Sequence, residues 1–283
     1  MQIHLIETAD GVALELVYFE PQKIDAPVVI CTHGVGNSFC TTPLWRVAHA
    51  IHALGWGVAI LNNRGHDWVS MNPLDRRWLG AAYERFEDSA FDFKAGMQWL
   101  QQRGHRSIVI SGHSLGALKA AYTQAHFPAG QVIALALFSP PRLPDDKVWD
   151  WAAHEEILAR SRSLAAAGKG EELMLVDMPT NAPALRGLMS AQTYINKYGA
   201  EAATTALRYA DRIRVPVFLA AGTEEKPQLS FSIDLEAALT NAPSVKRVTI
   251  AGADHMYTGR DGTVAREFAA WLSSLPVSSQ HVR

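Results

Sequence analysis

The stretch "VISGHSLGALKAA", residues 109–121, runs from β-branched residues through a small glycine-flanked turn straight into an alanine-rich segment. Ser114 stands at the corner, with Gly112 two residues before it and Gly116 two residues after. A strand that turns directly into a helix leaves no room for side chains at those two flanking positions. Such a bend lifts the central side chain into the open. It also aims the free N–H groups of the helix behind it at the same spot. A packing turn is the plain alternative. Strand before and helix after favour a nucleophile held on a strained bend.

Outward from this corner, short apolar runs alternate with helical patterns. "APVVICTHG" (26–34), "WGVAILNN" (56–63), "SIVISG" (107–112) and "QVIALALFS" (131–139) read as buried strands. Between them, "TPLWRVAHAIHALG" (42–55) predicts a helix with Thr42 as N-cap and Pro43 in its first turn. Residues 81–104 predict an amphipathic helix with a solvated charged face, and 115–127 a third helix. The first twenty residues, broken by "ADG" at 9–11, predict an antiparallel hairpin. The alternation stops at 141 and resumes with "VPVFLAAG" (215–222), a helix near 233–241, "VKRVTIAGA" (245–253) and a helix near 262–274. Continuous apolar strands between helices predict an α/β fold, with a mostly parallel central sheet and helices on both faces. Residues 1–140 and 211–283 then form the core domain. Residues 141–210, without a convincing strand, read as a helical cap insertion over one end of the sheet.

The composition bounds the partners. Hydrophobic residues make up 48% of 283, enough for a large core, and the formal net charge of −2 gives no reason to expect nucleic acid or an anionic membrane. Two cysteines, Cys31 in an apolar run and Cys40 in a loop, make neither a disulfide framework nor a zinc site. No signal peptide or membrane-spanning run is read, so a cytoplasmic location is expected. The oligomeric state is not legible.

A serine hydroxyl is a poor nucleophile without a base, and the base needs an orienting acid. In an open parallel sheet these groups meet beyond the carboxyl ends of the strands. Of eleven histidines, His255 lies just past the last strand in "TIAGADHMYTG", whereas His49, His52 and His126 fall on helices. "VFLAAGTEEKP" offers Glu224 and Glu225 at the same edge, with Glu225 the preferred acid. Asp254, adjacent to His255, suits turn formation better. The oxyanion donors are expected to be the backbone N–H groups of Leu115 and of Val35 in "THGVGNSF", with His33 bracing that loop. His113 and Arg142 are candidate substrate-binding residues. Trp149, Trp151, Met174, Met178, Leu188, Met189 and Tyr194 are expected to pack the cap, some of them also lining an apolar cleft above Ser114.

With these pieces placed, the chain resembles the α/β-hydrolase superfamily. The resemblance rests on "HGVG" (33–36), "GHSLG" (112–116), "GTEE" (222–225) and "GADHMY" (252–257), in the order nucleophile, acid, histidine, with "NNRGHD" (62–67) as a further similarity. It implies Ser114 as nucleophile, His255 as base and Glu225 as acid, where many relatives carry aspartate. It implies an esterase or lipase acting on a small-molecule ester, with no metal or organic cofactor. Two other functions remain open on the same scaffold: C–C bond hydrolysis beside a ketone, and ligand binding without fast turnover. Serine at the corner disfavours haloalkane dehalogenase and epoxide hydrolase chemistry.

Overall fold

The computed structural model describes residues 1–23, 26–144, 148–179 and 186–275. The chain opens with β1 (Gln2–Glu7) and β2 (Ala13–Phe19), then β3 (Val28–Thr32), α1 (Leu44–Ala53) and β4 (Gly57–Leu61). A short ribbon of β5 (Ser70–Met71) and β6 (Trp78–Leu79) precedes α2 (Ser89–Gln102), β7 (Ile108–His113), α3 (Leu115–His126) and β8 (Val132–Phe138). An insertion follows, built of α4 (Trp151–Ala166), β9 (Leu173–Asp177), β10 (Arg186–Ser190) and α5 (Ala191–Tyr198). Then come β11 (Val217–Gly222), α6 (Lys226–Ala238), β12 (Val245–Ile250) and α7 (Asp261–Ser274).

Eight strands form one sheet in the order β1-β2-β4-β3-β7-β8-β11-β12. β2 is antiparallel to both β1 and β4, and all the other pairings are parallel. Period-two alternation divides each central strand between two cores. Val28 and Ile30 of β3 pack with Phe93 and Leu118 on one face, while Val29 and Cys31 pack with Val47 and Phe268 on the other. Helices α2, α3 and α6 therefore cover one face, and α1 and α7 the opposite one. Each fully buried large side chain in these layers contributes roughly 1.5–3 kcal/mol. The strand order reverses between β3 and β7, and that crevice is where open α/β sheets place their sites. No helix among the described residues is long and apolar enough to cross a membrane.

Four local expectations need correction. The insertion is not purely helical, because β9 and β10 pair antiparallel from Arg186↔Asp177 to Ser190↔Leu173. Its alternation of exposed and buried residues is clear in β9 (Leu173 out, Met174 in, Leu175 out, Val176 in), but five residues are too few to outweigh helical neighbours in sequence. Helix α1 starts at Leu44 with Pro43 at its N-cap, and the Thr42 hydroxyl only weakly accepts from the Leu44 N–H at 3.4 Å. Helix α2 begins at Ser89 rather than 81, after one 3₁₀ turn at Phe86–Asp88.

The charged face of that segment is solvated at Arg85, Lys94 and Arg103, but two of its carboxylates, Glu84 and Asp92, are buried. Asp92 is buried against Arg64, whose Nε donates to Asp92 Oδ1 at 2.8 Å and whose Nη1 donates to Asp10 at 2.8 Å. Glu84, fully enclosed, takes Lys119 Nζ of α3 at 2.5 Å on one oxygen and Lys197 Nζ of α5 at 2.6 Å on the other. One carboxylate thus ties the insertion to the helix behind Ser114. Burial alone would raise the Glu84 pKa. The two ammonium groups outweigh it and bring the carboxyl down to about 2 from 4.5. A depressed carboxylate stabilises the fold at pH values above its unfolded pKa. That contribution is lost as pH falls through the interval from 4.5 to about 2. Glu84→Gln should lower unfolding free energy by about 3–5 kcal/mol at neutral pH, because two ammonium groups are left buried without a counter-charge. Urea unfolding of the two proteins checks this, and equal midpoints and slopes would contradict it.

Candidate active site

Ser114 lies between the end of β7 and the start of α3, with φ 56° and ψ −126°. A non-glycine residue in that region stores about 1–3 kcal/mol of strain. The surroundings hold it there. A Cβ on Gly112 would stand 2.1 Å from the Gly116 carbonyl oxygen, and one on Gly116 would stand 2.5 Å from the His33 carbonyl oxygen. Gly34, from the loop after β3, approaches so closely that its Cβ would sit 2.9 Å from Ser114 Cβ. The turn after β7 and the loop after β3 thus close on one hydroxyl.

His255 and Glu225 reach the same edge from the loops after β12 and β11. His255 Nε2 is 3.0 Å from Ser114 Oγ, and its Nδ1 is 2.7 Å from Glu225 Oε2. An ionised carboxylate only accepts, so Nδ1 carries the proton and Nε2 presents its lone pair to the serine O–H. Glu225 is buried, and its Oε1 accepts from the Gly222 N–H at 2.7 Å and from the Ser139 hydroxyl at 2.5 Å. Glu224 points elsewhere: it is exposed, and its Oε1 meets its neighbour Thr223 Oγ1 at 3.2 Å. Asp254 accepts from the N–H groups of Met256 and Thr258, which makes it a turn former.

Ser139 and Tyr257 were not singled out in the sequence. Ser139 ends β8 with φ 47°, its N–H donates to the Ala220 carbonyl at 2.8 Å, and its Oγ lies 2.7 Å from the Tyr257 hydroxyl. The signal was present, since "LFSPP" puts a hydroxyl at the carboxyl end of a central strand. It lacked a sequence partner to give it meaning.

The N–H groups of Val35 and Leu115 have no protein acceptor among the described residues, and both residues line the cavity at Ser114. His33 is buried, and its Nδ1 donates to the Gly34 carbonyl at 2.9 Å. Burial lowers its pKa to about 3, so the brace is neutral. His113 is also buried and held neutral, its pKa lowered to about 3 chiefly by burial and then by the neighbouring His255. Its Nε2–H donates to the His255 carbonyl at 2.7 Å. The expected substrate contact for His113 is therefore corrected: its side chain points into the protein and positions the His255 backbone. Arg142 does reach the cavity wall. Its guanidinium pairs with Asp234 of α6 and lies 5.1 Å over the Phe231 ring, so that charge is already engaged.

Above Ser114 opens a cavity of about 660 Å³. Its walls are mainly apolar. The insertion supplies Trp149, Met178, Met189 and Tyr198, and the sheet side supplies Val35, Trp68 and Leu115. Met174 and Tyr194 belong to the interior of the insertion, whereas Trp151 is 43% exposed.

A family model described as serine aminopeptidase, S33, matches residues 22–258. The chain belongs to that family of α/β hydrolases. Solved structures share the fold. Est1E from Butyrivibrio proteoclasticus with bound ferulic acid superimposes with a TM-score of 0.68 at 18% identity, over 96% of this chain and 99% of that one. The α/β hydrolase GrgF from Penicillium sp. sh18 gives 0.74 at 15% identity, over 96% and 97%. The Pyrococcus furiosus esterase Pf2001 gives 0.62 at 18%, over 97% and 92%. A comparison with curated proteins returned no match.

The turn at Ser114 makes a stability prediction independent of any activity. Gly116→Ala must displace backbone and should cost at least about 1–3 kcal/mol. Gly130→Ala, where an added Cβ meets nothing within 4 Å, should stay within about 0.5 kcal/mol of the parent. Thermal unfolding of the pair measures both, and similar losses at the two positions would contradict the crowding.

Proposed function

We propose that this chain is a serine-dependent carboxylic-ester hydrolase acting on a small or medium apolar ester, with residues 141–210 as a cap over the substrate. The observation that carries the reading is the unbroken hydrogen-bonded line from Ser114 Oγ through His255 to Glu225, opening into an apolar cavity. The esterases among the structural neighbours support the same class.

In this mechanism the substrate carbonyl lies against the N–H groups of Val35 and Leu115. Ser114 Oγ attacks the carbonyl carbon while its proton passes to His255 Nε2. The oxygen gains negative charge as the tetrahedral centre forms, and the two backbone donors meet it. One such donor contributes about 3–4 kcal/mol. Glu225 stabilises the imidazolium without taking its proton. His255 then protonates the departing alcohol, and the C–O bond breaks to leave the acyl-enzyme. Water attacks that ester with His255 again as base, the acid is released, and Ser114 recovers its proton.

Steady-state hydrolysis of p-nitrophenyl butyrate tests the assignment. Ser114→Ala should reduce kcat by at least about 10⁴-fold. Glu225→Gln should reduce it far more than Glu224→Gln, because only the former removes the acceptor of the His255 Nδ1 proton. Unchanged turnover in the serine variant would refute the nucleophile, and equal losses in the two glutamine variants would move the acid.

A further inference from the structure

Two side chains of the insertion do double duty. Trp149 and Tyr198 belong to the apolar cluster that packs the insertion together, and both also line the cavity above Ser114. Their ring centroids lie 5.4 Å apart. Each is more than nine-tenths buried, at 7% and 4% exposure. An indole N–H and a phenol O–H normally find a partner when buried. Tyr194, beside them, has one, with His154 Nδ1 2.9 Å from its hydroxyl. Tyr18 does too, 2.6 Å from His105 Nε2.

Neither Trp149 Nε1–H nor the Tyr198 hydroxyl has a protein partner among the described residues. Both side chains are enclosed, and both residues line the cavity above Ser114. Around them the cavity wall is Val148, Met178 and Met189, none of which offers a strong hydrogen-bonding group. Two polar hydrogens thus border an apolar chamber, and one of them, the indole, only donates.

We infer that Trp149 and Tyr198 form a subsite for an acceptor oxygen carried by an otherwise apolar substrate, away from the bond that is cleaved. This rests on the ester-hydrolase reading and narrows its substrate class. The acyl or alcohol part is an aryl or alkyl body bearing a carbonyl, phenolic hydroxyl or ether oxygen. Such an oxygen satisfies donors that a plain hydrocarbon of the same shape would leave unpaired. The oxygenated member of an isosteric pair is therefore favoured, by about tenfold for one or two neutral hydrogen bonds.

The test measures kcat/KM for two matched pairs. One is methyl 4-hydroxycinnamate against methyl 4-methylcinnamate. The other is p-nitrophenyl 7-oxooctanoate against p-nitrophenyl 7-methyloctanoate. The wild-type protein should favour the oxygenated ester by about tenfold in at least one pair. Tyr198→Phe and Trp149→Phe should each bring that ratio down towards one, a readout from which a general loss of active protein cancels. Ratios near one in both pairs for the wild type, alongside measurable turnover of p-nitrophenyl butyrate, would overturn the subsite and leave the hydrolase reading standing. A ratio preserved in both variants would do the same. Absence of turnover on every ester would overturn the hydrolase reading and the subsite together.

Discussion

Between the carbonyl oxygens at the end of β3 and the first turn of α3 there is space for a hydrogen atom and nothing larger. Gly116 fills that space, and a methyl group there would meet both the Thr32 and the His33 carbonyl oxygens within 3 Å. The helix can therefore start immediately behind Ser114, close to the neighbouring strand. That closeness forces φ 56° on Ser114 and projects its hydroxyl away from the sheet. Val35 and Leu115 line the cavity beside the hydroxyl, while the short turn after β11 and the longer loop after β12 bring Glu225 and His255 to it. The strain at Ser114 is held by the packing of the layers around it together with its backbone bonds to Phe138 and Ala117.

The polar interior has two separate tasks. Ser139, the Gly222 N–H and Tyr257 surround Glu225 and fix which oxygen faces His255. Glutamate has one more rotatable bond than aspartate, so a longer arm needs such holding to stay aimed. The Glu84 cluster instead works on the far side of α3. It joins Lys119, Lys197 and, through Lys119, the Asn63 side chain, whose Nδ2 donates to Thr32 Oγ1 at 2.6 Å. The insertion, the helix behind the serine and the strand that carries the proposed oxyanion loop are thereby linked through one carboxylate.

Much of this was legible in the sequence because its physics is local. The glycine spacing around Ser114 states the turn, and uninterrupted runs such as "VIALALF" state strands covered on both faces. The initial hairpin was equally plain, with the Thr8–Val12 turn joining β1 to β2. What escaped depends on contacts between distant residues. Glu84 and Asp92 read as surface charges until their partners, Lys119, Lys197 and Arg64, arrive from elsewhere in the chain. His113 sits in the motif itself, yet its orientation is set by the His255 carbonyl, 142 positions away. The β9–β10 hairpin went unseen because two short strands flanked by helices carry a weak periodic signal.

Mass spectrometry of the intact and digested protein after treatment with a fluorophosphonate tests the proposed chemistry most directly, because the reagent reacts preferentially with an activated serine hydroxyl. A single adduct on Ser114 that disappears in a folded His255→Ala variant is the predicted result. Labelling at another residue, or labelling of Ser114 that survives removal of the imidazole, would contradict it.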